Sequence, residues 1–208
     1  VSTTATSTAP ASTAPAKLRV ARAISEVFAP AVVVLLLPLA VAWAATGHHP
    51  GLTLLWGLEV ALFSSAIPMV FIVRGARRGR WDTHHVRDRE HRAVPLLFGL
   101  ASTLVGVGIL VVGGAPRDVL ALSLAMVVTL VVCILITRRW KVSLHTAVAG
   151  GAVAMTTLLY GPWALLLLVL LVAVAWSRVV LGDHTAAQVV VGALVGPVFG
   201  GVVFLLVR

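Results

Sequence analysis

The sequence predicts an all-α protein, a polytopic transmembrane bundle of six to seven helices, and three observations carry that prediction. Of its 208 residues 60% are hydrophobic and 11% charged, with a mean hydropathy of +1.05; an ordinary soluble domain carries about twice that charge. The apolar residues arrive in blocks close to the roughly 20 that a helix needs to cross about 30 Å of hydrocarbon. Turn residues at 47–51, 113–117 and 161–162 separate some of these blocks by so little chain that their neighbours must be antiparallel hairpins.

Residues 1–16 are almost wholly Ser, Thr, Ala and Pro, too poor in large apolar groups to offset the entropy of ordering, and read as a disordered tail. Residues 17–208 read as one membrane-embedded domain. Lys17, Arg19 and Arg22 precede a full-length apolar span without an obvious cleavage site, which predicts a retained helix rather than a signal peptide. Spans are expected near residues 28–46, 52–74, 94–112, 118–137, 145–160, 163–177 and 184–207. If each crosses, the connections 75–93, 138–144 and 178–183 share one face with the N-terminal flank. The fifth and sixth spans are short and also fit a re-entrant pair, which returns the chain to the same face. Cys133, the single cysteine, excludes an intrachain disulfide and a paired-thiol zinc or redox site.

Those connections and their edges hold nearly all the polarity of the chain. Asp82, His84, His85, Arg87, Asp88, Arg89, Glu90, His91 and Arg92 lie in the first; Arg138, Arg139, Lys141, Ser143 and His145 in the second; Ser177, Arg178, Asp183 and His184 in the third. Cations at helix ends are ordinary headgroup anchors, which accounts for Arg74, Arg77, Arg78 and Arg80 and for much of Arg138 and Arg139. Histidine anchors poorly but transfers protons near neutral pH. His145 and His184, each at an expected helix start near a serine and a cation, therefore point to chemistry.

Ser177-Arg178, five residues, His184, three residues, Gln188 resembles the third signature of the type 2 phosphatidic acid phosphatase family, membrane lipid phosphatases related to the vanadium haloperoxidases. That family has Asp where Gln188 stands. Ser143-Leu144-His145 keeps the Ser and His of its second signature, Pro-Ser-Gly-His, without the Pro and Gly. The first signature, Lys, six residues, Arg-Pro, is matched least: Arg92 supplies the Arg, Pro95 arrives two residues late, His85 stands where the Lys is expected, and Arg89 substitutes for that cation. The resemblance covers residues 75–200 and implies an enzyme that removes a terminal phosphate or diphosphate from a lipid or isoprenoid phosphate. It implies that His184 attacks phosphorus to form a phosphohistidine, that His145 protonates the leaving oxygen and then activates water, and that no metal or other cofactor is required. At position 188 the family Asp orients the nucleophile and supports its cationic form. Here Gln188 acts as a neutral orienter, or Asp183 or Asp88 takes the role, or catalysis is weaker.

Beside the resemblance stands the chemistry of the residues. A phosphate dianion in a partly desolvated pocket needs fixed cations and donors around its oxygens. Arg89, Arg92, Arg178, Lys141 and His85 are candidates for the first need, Ser143 and Ser177 for the second. The implied partners are a lipid phosphate and the bilayer, with homo-oligomerisation left open. Nucleic acid is not expected despite a net charge of +9, because most of the cations flank spans. A magnesium-dependent prenyl or phosphatidyl transferase fits poorly, since the chain has four Asp and no pair spaced for a metal within a span. The main alternative is a transporter or channel with a cationic vestibule, in which Glu59, alone inside the second span, couples transport. The structural reading of Glu59 is a snorkelling or hydrogen-bonded carboxylate toward the opposite face, where His48 and His49 read as surface residues.

Orientation follows from charge. Fourteen of the sixteen Lys and Arg residues fall on the motif face, leaving Arg117 and Arg208 opposite, and nine remain after the candidate site cations are set aside. The positive-inside rule then predicts a multi-pass cell-membrane protein whose site faces the cytoplasm, although the family resembled usually presents it outside.

Overall fold

The computed structural model describes residues 15–80 and 93–208, and every regular element among them is helical. The chain runs through α1 (Ala16–Val27), α2 (Pro30–Ala45), α3 (Pro50–Ala61), a π-helical turn (Leu62–Ala66), α4 (Ile67–Arg77), α5 (Ala93–Gly113), α6 (Arg117–Thr137) and α7 (Leu144–Tyr160). A 3-10 turn (Pro162–Leu167) then leads into α8 (Leu168–Val180), α9 (Ala186–Val195), a second π segment (Gly196–Gly201) and α10 (Val202–Val207). Among the described residues five rods are long and apolar enough to cross a membrane, or six if α1 and α2, which meet at a bend of 43°, form one span. The protein is an all-α, polytopic bundle.

The N-terminal flank departs from expectation. Ala16, assigned to the tail, opens a helix that Pro15 precedes, while residues 1–14 lie outside the described part. α1 is amphipathic: Leu18, Ala21, Ile24 and Ser25 turn inward while Lys17, Arg19 and Arg22 stay exposed. It breaks where Pro30 forces Ala29 into extended backbone (φ −59°, ψ 147°). The second span holds a π turn six residues before Pro68, whose ring and missing N–H disfavour a regular helix there. Ser65 Oγ donates to the Ala31 carbonyl at 2.8 Å and Ser102 Oγ to the Phe63 carbonyl at 2.5 Å, tying the irregular turn to α2 and α5.

α7, an apolar helix of 17 residues, is packed by α2, α8, α9 and the second π segment. One apolar core joins Leu37, Val41, Leu122, Met155 and Phe204. Outward faces carry Leu166, Val169, Val172 and Leu206, all exposed, as lipid rather than water requires. At one end Arg208 pairs with Asp118 (3.6 Å) and donates to the Leu158 carbonyl (3.0 Å), while Tyr160 Oη donates to the Ala40 carbonyl (2.5 Å). These contacts gather the ends of α2, α7 and α10 with the start of α6, leaving the connections 138–143 and 181–185 at the other end. His49 caps α3 by accepting from the Leu52 N–H (3.3 Å), a structural role at an exposed position.

Candidate active site

The link between α8 and α9 sets the geometry. α8 ends in a Schellman motif: the Gly182 N–H donates to the Val179 carbonyl (3.0 Å) and the Asp183 N–H to that of Arg178 (3.1 Å). Closing it requires the left-handed backbone that Gly182 adopts at φ +70°. The reversal brings the Asp183 carboxylate back onto the side chain that began the motif, with Asp183 Oδ2 2.7 Å from Arg178 Nη2 and both side chains buried. Arg178 Nη1 donates to the hydroxyl of Ser25 on α1. The guanidinium expected to stand open as a phosphate fork is thus braced on two sides by protein groups. Ser177, expected as a hydroxyl donor to phosphate, donates instead to the Val174 carbonyl of its own helix (2.7 Å), as a serine one turn along a helix readily does.

His184 was expected to open the last helix, but Thr185 is the N-cap and His184 precedes it. Thr185 and Gln188 form a capping box: Thr185 Oγ1 accepts from the Gln188 N–H (3.4 Å) and Gln188 Oε1 from the Thr185 N–H (3.2 Å). The same Oε1 lies 3.1 Å from His184 Nδ1. A backbone N–H can only donate, so the atom it meets is the amide oxygen, and Nδ1 must carry the ring proton to donate to it. The lone pair then falls on Nε2. Gln188 is thus within reach of the His184 ring, the Asp183 carboxylate is engaged by Arg178, and Asp88 lies outside the described residues.

His145 is buried in the first turn of α7, whose N-cap Ser143 accepts from the Thr146 N–H (3.4 Å). The two motifs meet directly, because the Ser143 N–H donates to the Gln188 carbonyl (3.3 Å). Small residues permit this approach: a Cβ at Gly192 would run into Thr146 Oγ1 and the Ser143 carbonyl, and one at Gly196 into the Ala147 carbonyl. Gly192→Ala should therefore lower thermal stability by about 1–3 kcal/mol and pull Gln188 from Ser143. Unchanged melting and unchanged function in that variant would refute the close packing.

Ser143, His145, Ser177, Arg178, His184 and Gln188 thus come together at one end of α7, α8 and α9, with half-buried Lys141 two residues before the cap. His85, Arg89 and Arg92, with Asp88, lie outside the described residues. Sequence reasoning missed Ser25, which carries no motif; its only signal was the inward stripe it shares with Leu18 and Ala21. It also missed the Thr185-x-x-Gln188 box, which was readable. Glu59 stands apart: both carboxylate oxygens are buried without a hydrogen-bond partner, Oε1 beside Gly106, so it is neither snorkelling nor hydrogen-bonded as expected. Among the described residues no three His, Cys, Asp or Glu side chains converge as a metal site.

An apolar cavity of about 210 Å³ runs between α2, α4, α5, α6 and α7. Along α7 it is lined from Leu144 and Ala147, which flank His145 in sequence, down to Met155, a rise of about 16 Å.

Fold and cluster together define a multi-pass helical membrane protein with a buried Ser-His and Arg-Asp constellation and a half-buried His-Gln pair at one end of the bundle. No family model, curated protein or solved structure matches the chain.

Proposed function

We propose that the protein is a membrane lipid phosphatase that removes a terminal phosphate, or diphosphate, from a lipid or isoprenoid phosphate. The observation that carries this reading is the His184–Gln188 contact, which leaves Nε2 of a buried histidine as the nucleophile at the end of the bundle that also holds buried His145 and Arg178. Nε2 attacks phosphorus in line as the phosphorus–oxygen bond to the lipid breaks, and protonated His145 gives its proton to the departing oxygen. His145, now neutral, takes a proton from water as that water attacks the phosphohistidine, breaking the P–N bond and releasing phosphate. Arg178, fixed by Asp183 and Ser25, offers a preorganised positive charge to the phosphoryl oxygens. In this reading Arg89, Arg92, Lys141 and His85 supply further contacts, and the cavity beside α7 receives the first part of the lipid chain.

The test is phosphate release by the purified protein from a panel of lipid phosphates and diphosphates, in the presence of chelator. Release supports the reading. Its absence across the panel, with solute flux in proteoliposomes that depends on Glu59, would favour the transporter instead.

Position 188 yields a sharper expectation. Gln188→Glu keeps the reach of the side chain and both hydrogen bonds while setting a carboxylate against the imidazolium, so kcat should be preserved or raised. Gln188→Ala should lower kcat by at least about tenfold through loss of the tautomer and destabilise the helix start by about 1 kcal/mol. Equal activity of Gln188→Ala and wild type would show that the contact is structural only.

We also propose that the site faces the cytoplasm, from the cations at α1 and the end of α4. Cys133 is buried, so Arg77→Cys would present the accessible thiol. It should resist a membrane-impermeant thiol reagent in intact cells and react after permeabilisation. Labelling in intact cells would reverse the orientation.

A further inference from the structure

On the same end of the bundle as the histidines, but between α4 and α5, lies a cleft of about 490 Å³ lined by Ile67, Val70, Phe71, Arg74, Gly75, Arg78, Arg80 and Phe98. We propose that it holds one anionic phospholipid of the bilayer, with the phosphate under Arg74, Arg78 and Arg80 and a chain along Ile67, Val70 and the paired rings of Phe71 and Phe98.

The amphipathy of the cleft runs in the direction a phospholipid requires. Residues 67, 70, 71, 74, 75 and 78 share one face of α4, and the rise from the first to the last is about 16 Å. Its deep half is apolar, floored by Phe71 and Phe98 stacked at 4.0 Å and 9°. The half toward the helix end is cationic, with all three arginines exposed. Gly75, between the rings and Arg78, adds no side chain to fill it. Neither the π turn, α4 nor α5 contains an Asp or Glu, so these elements offer the three arginines no counter-charge. Cations that only anchored a helix end would need no such cleft. Basic pockets between helices at an interface are the sites that select anionic headgroups, each cation contributing about a fivefold gain in affinity. The cleft is separate from the histidine cluster, since α4 and α5 pack on each other and on the π turn while α7 and α9 form the cluster. The inference is independent of phosphatase activity.

Arg77 supplies the control, being exposed on the same turn but outside the cleft. The full chain in uncharged detergent is titrated with phosphatidylglycerol, phosphatidylcholine or inorganic phosphate, read by native mass spectrometry and thermal shift. One phosphatidylglycerol should bind saturably and raise the melting temperature, with neither of the other two doing so. Arg74→Gln and Arg78→Gln should each weaken binding about fivefold, and the triple variant with Arg80→Gln about a hundredfold; Arg77→Gln should leave it unchanged. The single variants replace exposed side chains, so their folding is checked by the melting temperature without lipid. Equal binding of phosphatidylcholine, an equal response to inorganic phosphate, or an equal loss in Arg77→Gln would overturn the proposal.

Discussion

His184→Ala is expected to abolish phosphate release from every substrate, a fall of at least about 10⁴-fold in kcat, while the protein still folds and inserts. The side chain follows the Schellman turn and precedes the N-cap, so neither device needs it. His145→Ala should behave differently. A general acid matters in proportion to the basicity of the departing oxygen, so the loss should be about 10²–10⁴-fold for a lipid alkoxide and much smaller for an activated aryl phosphate. The comparison of the two variants over the two substrate types is the informative measurement. Substantial turnover by His184→Ala would sink the phosphohistidine mechanism, and an equal loss for both esters in His145→Ala would remove the leaving-group role.

The second large effect concerns stability. Asp183→Ala leaves the Arg178 guanidinium buried without the carboxylate that lies 2.7 Å from it, and loss of one partner of a buried pair destabilises by about 3–5 kcal/mol. Arg178→Ala should be comparably harmful through the orphaned carboxylate. Replacing both, as Arg178→Met with Asp183→Leu, should recover much of the melting temperature, because an apolar pair of similar bulk avoids desolvating two charges. The recovered variant should remain inactive under the proposed mechanism, separating the bracing role from the electrostatic one. If Asp183→Ala melts with wild type, the ion pair makes no net contribution to the fold.

The site was legible to the extent that its spacing is local. Ser177-Arg178 and His184 are separated by the residues needed to finish a helix, close it at Gly182 and reach a cap, so one-dimensional spacing encodes that turn. Ser143 and His145 were legible as a serine and a histidine at a helix start. The partners that Ser177 and Arg178 hold were not legible, because hydrogen-bond partners are chosen in space. Ser177 found a carbonyl one turn back, and Arg178 found Ser25, 153 residues away in the chain. The bend at Ala29 and the π turn before Pro68 had signals in the prolines. Only the consequence of the bend at Ala29, the packing of α1 against α8, lay beyond it.

By itself the sequence determined that the chain is a helical membrane bundle and that the connections 138–143 and 181–185 share one end. The lengths of apolar blocks and the shortness of turns are local properties, and lipid admits few backbone solutions other than closed helices. Only the tertiary structure decided which way each helix turns about its own axis. α2, α3 and α6 have no polar stripe along one face, so their periodicity carries little information about which side meets a neighbour and which meets lipid. That choice rests on the few positions where a side chain is absent or polar: Gly192 and Gly196 letting α9 close on α7, Ser143 reaching Gln188, Ser25 reaching Arg178. Each depends on two surfaces matching at once, and a single strand of sequence states only one of them.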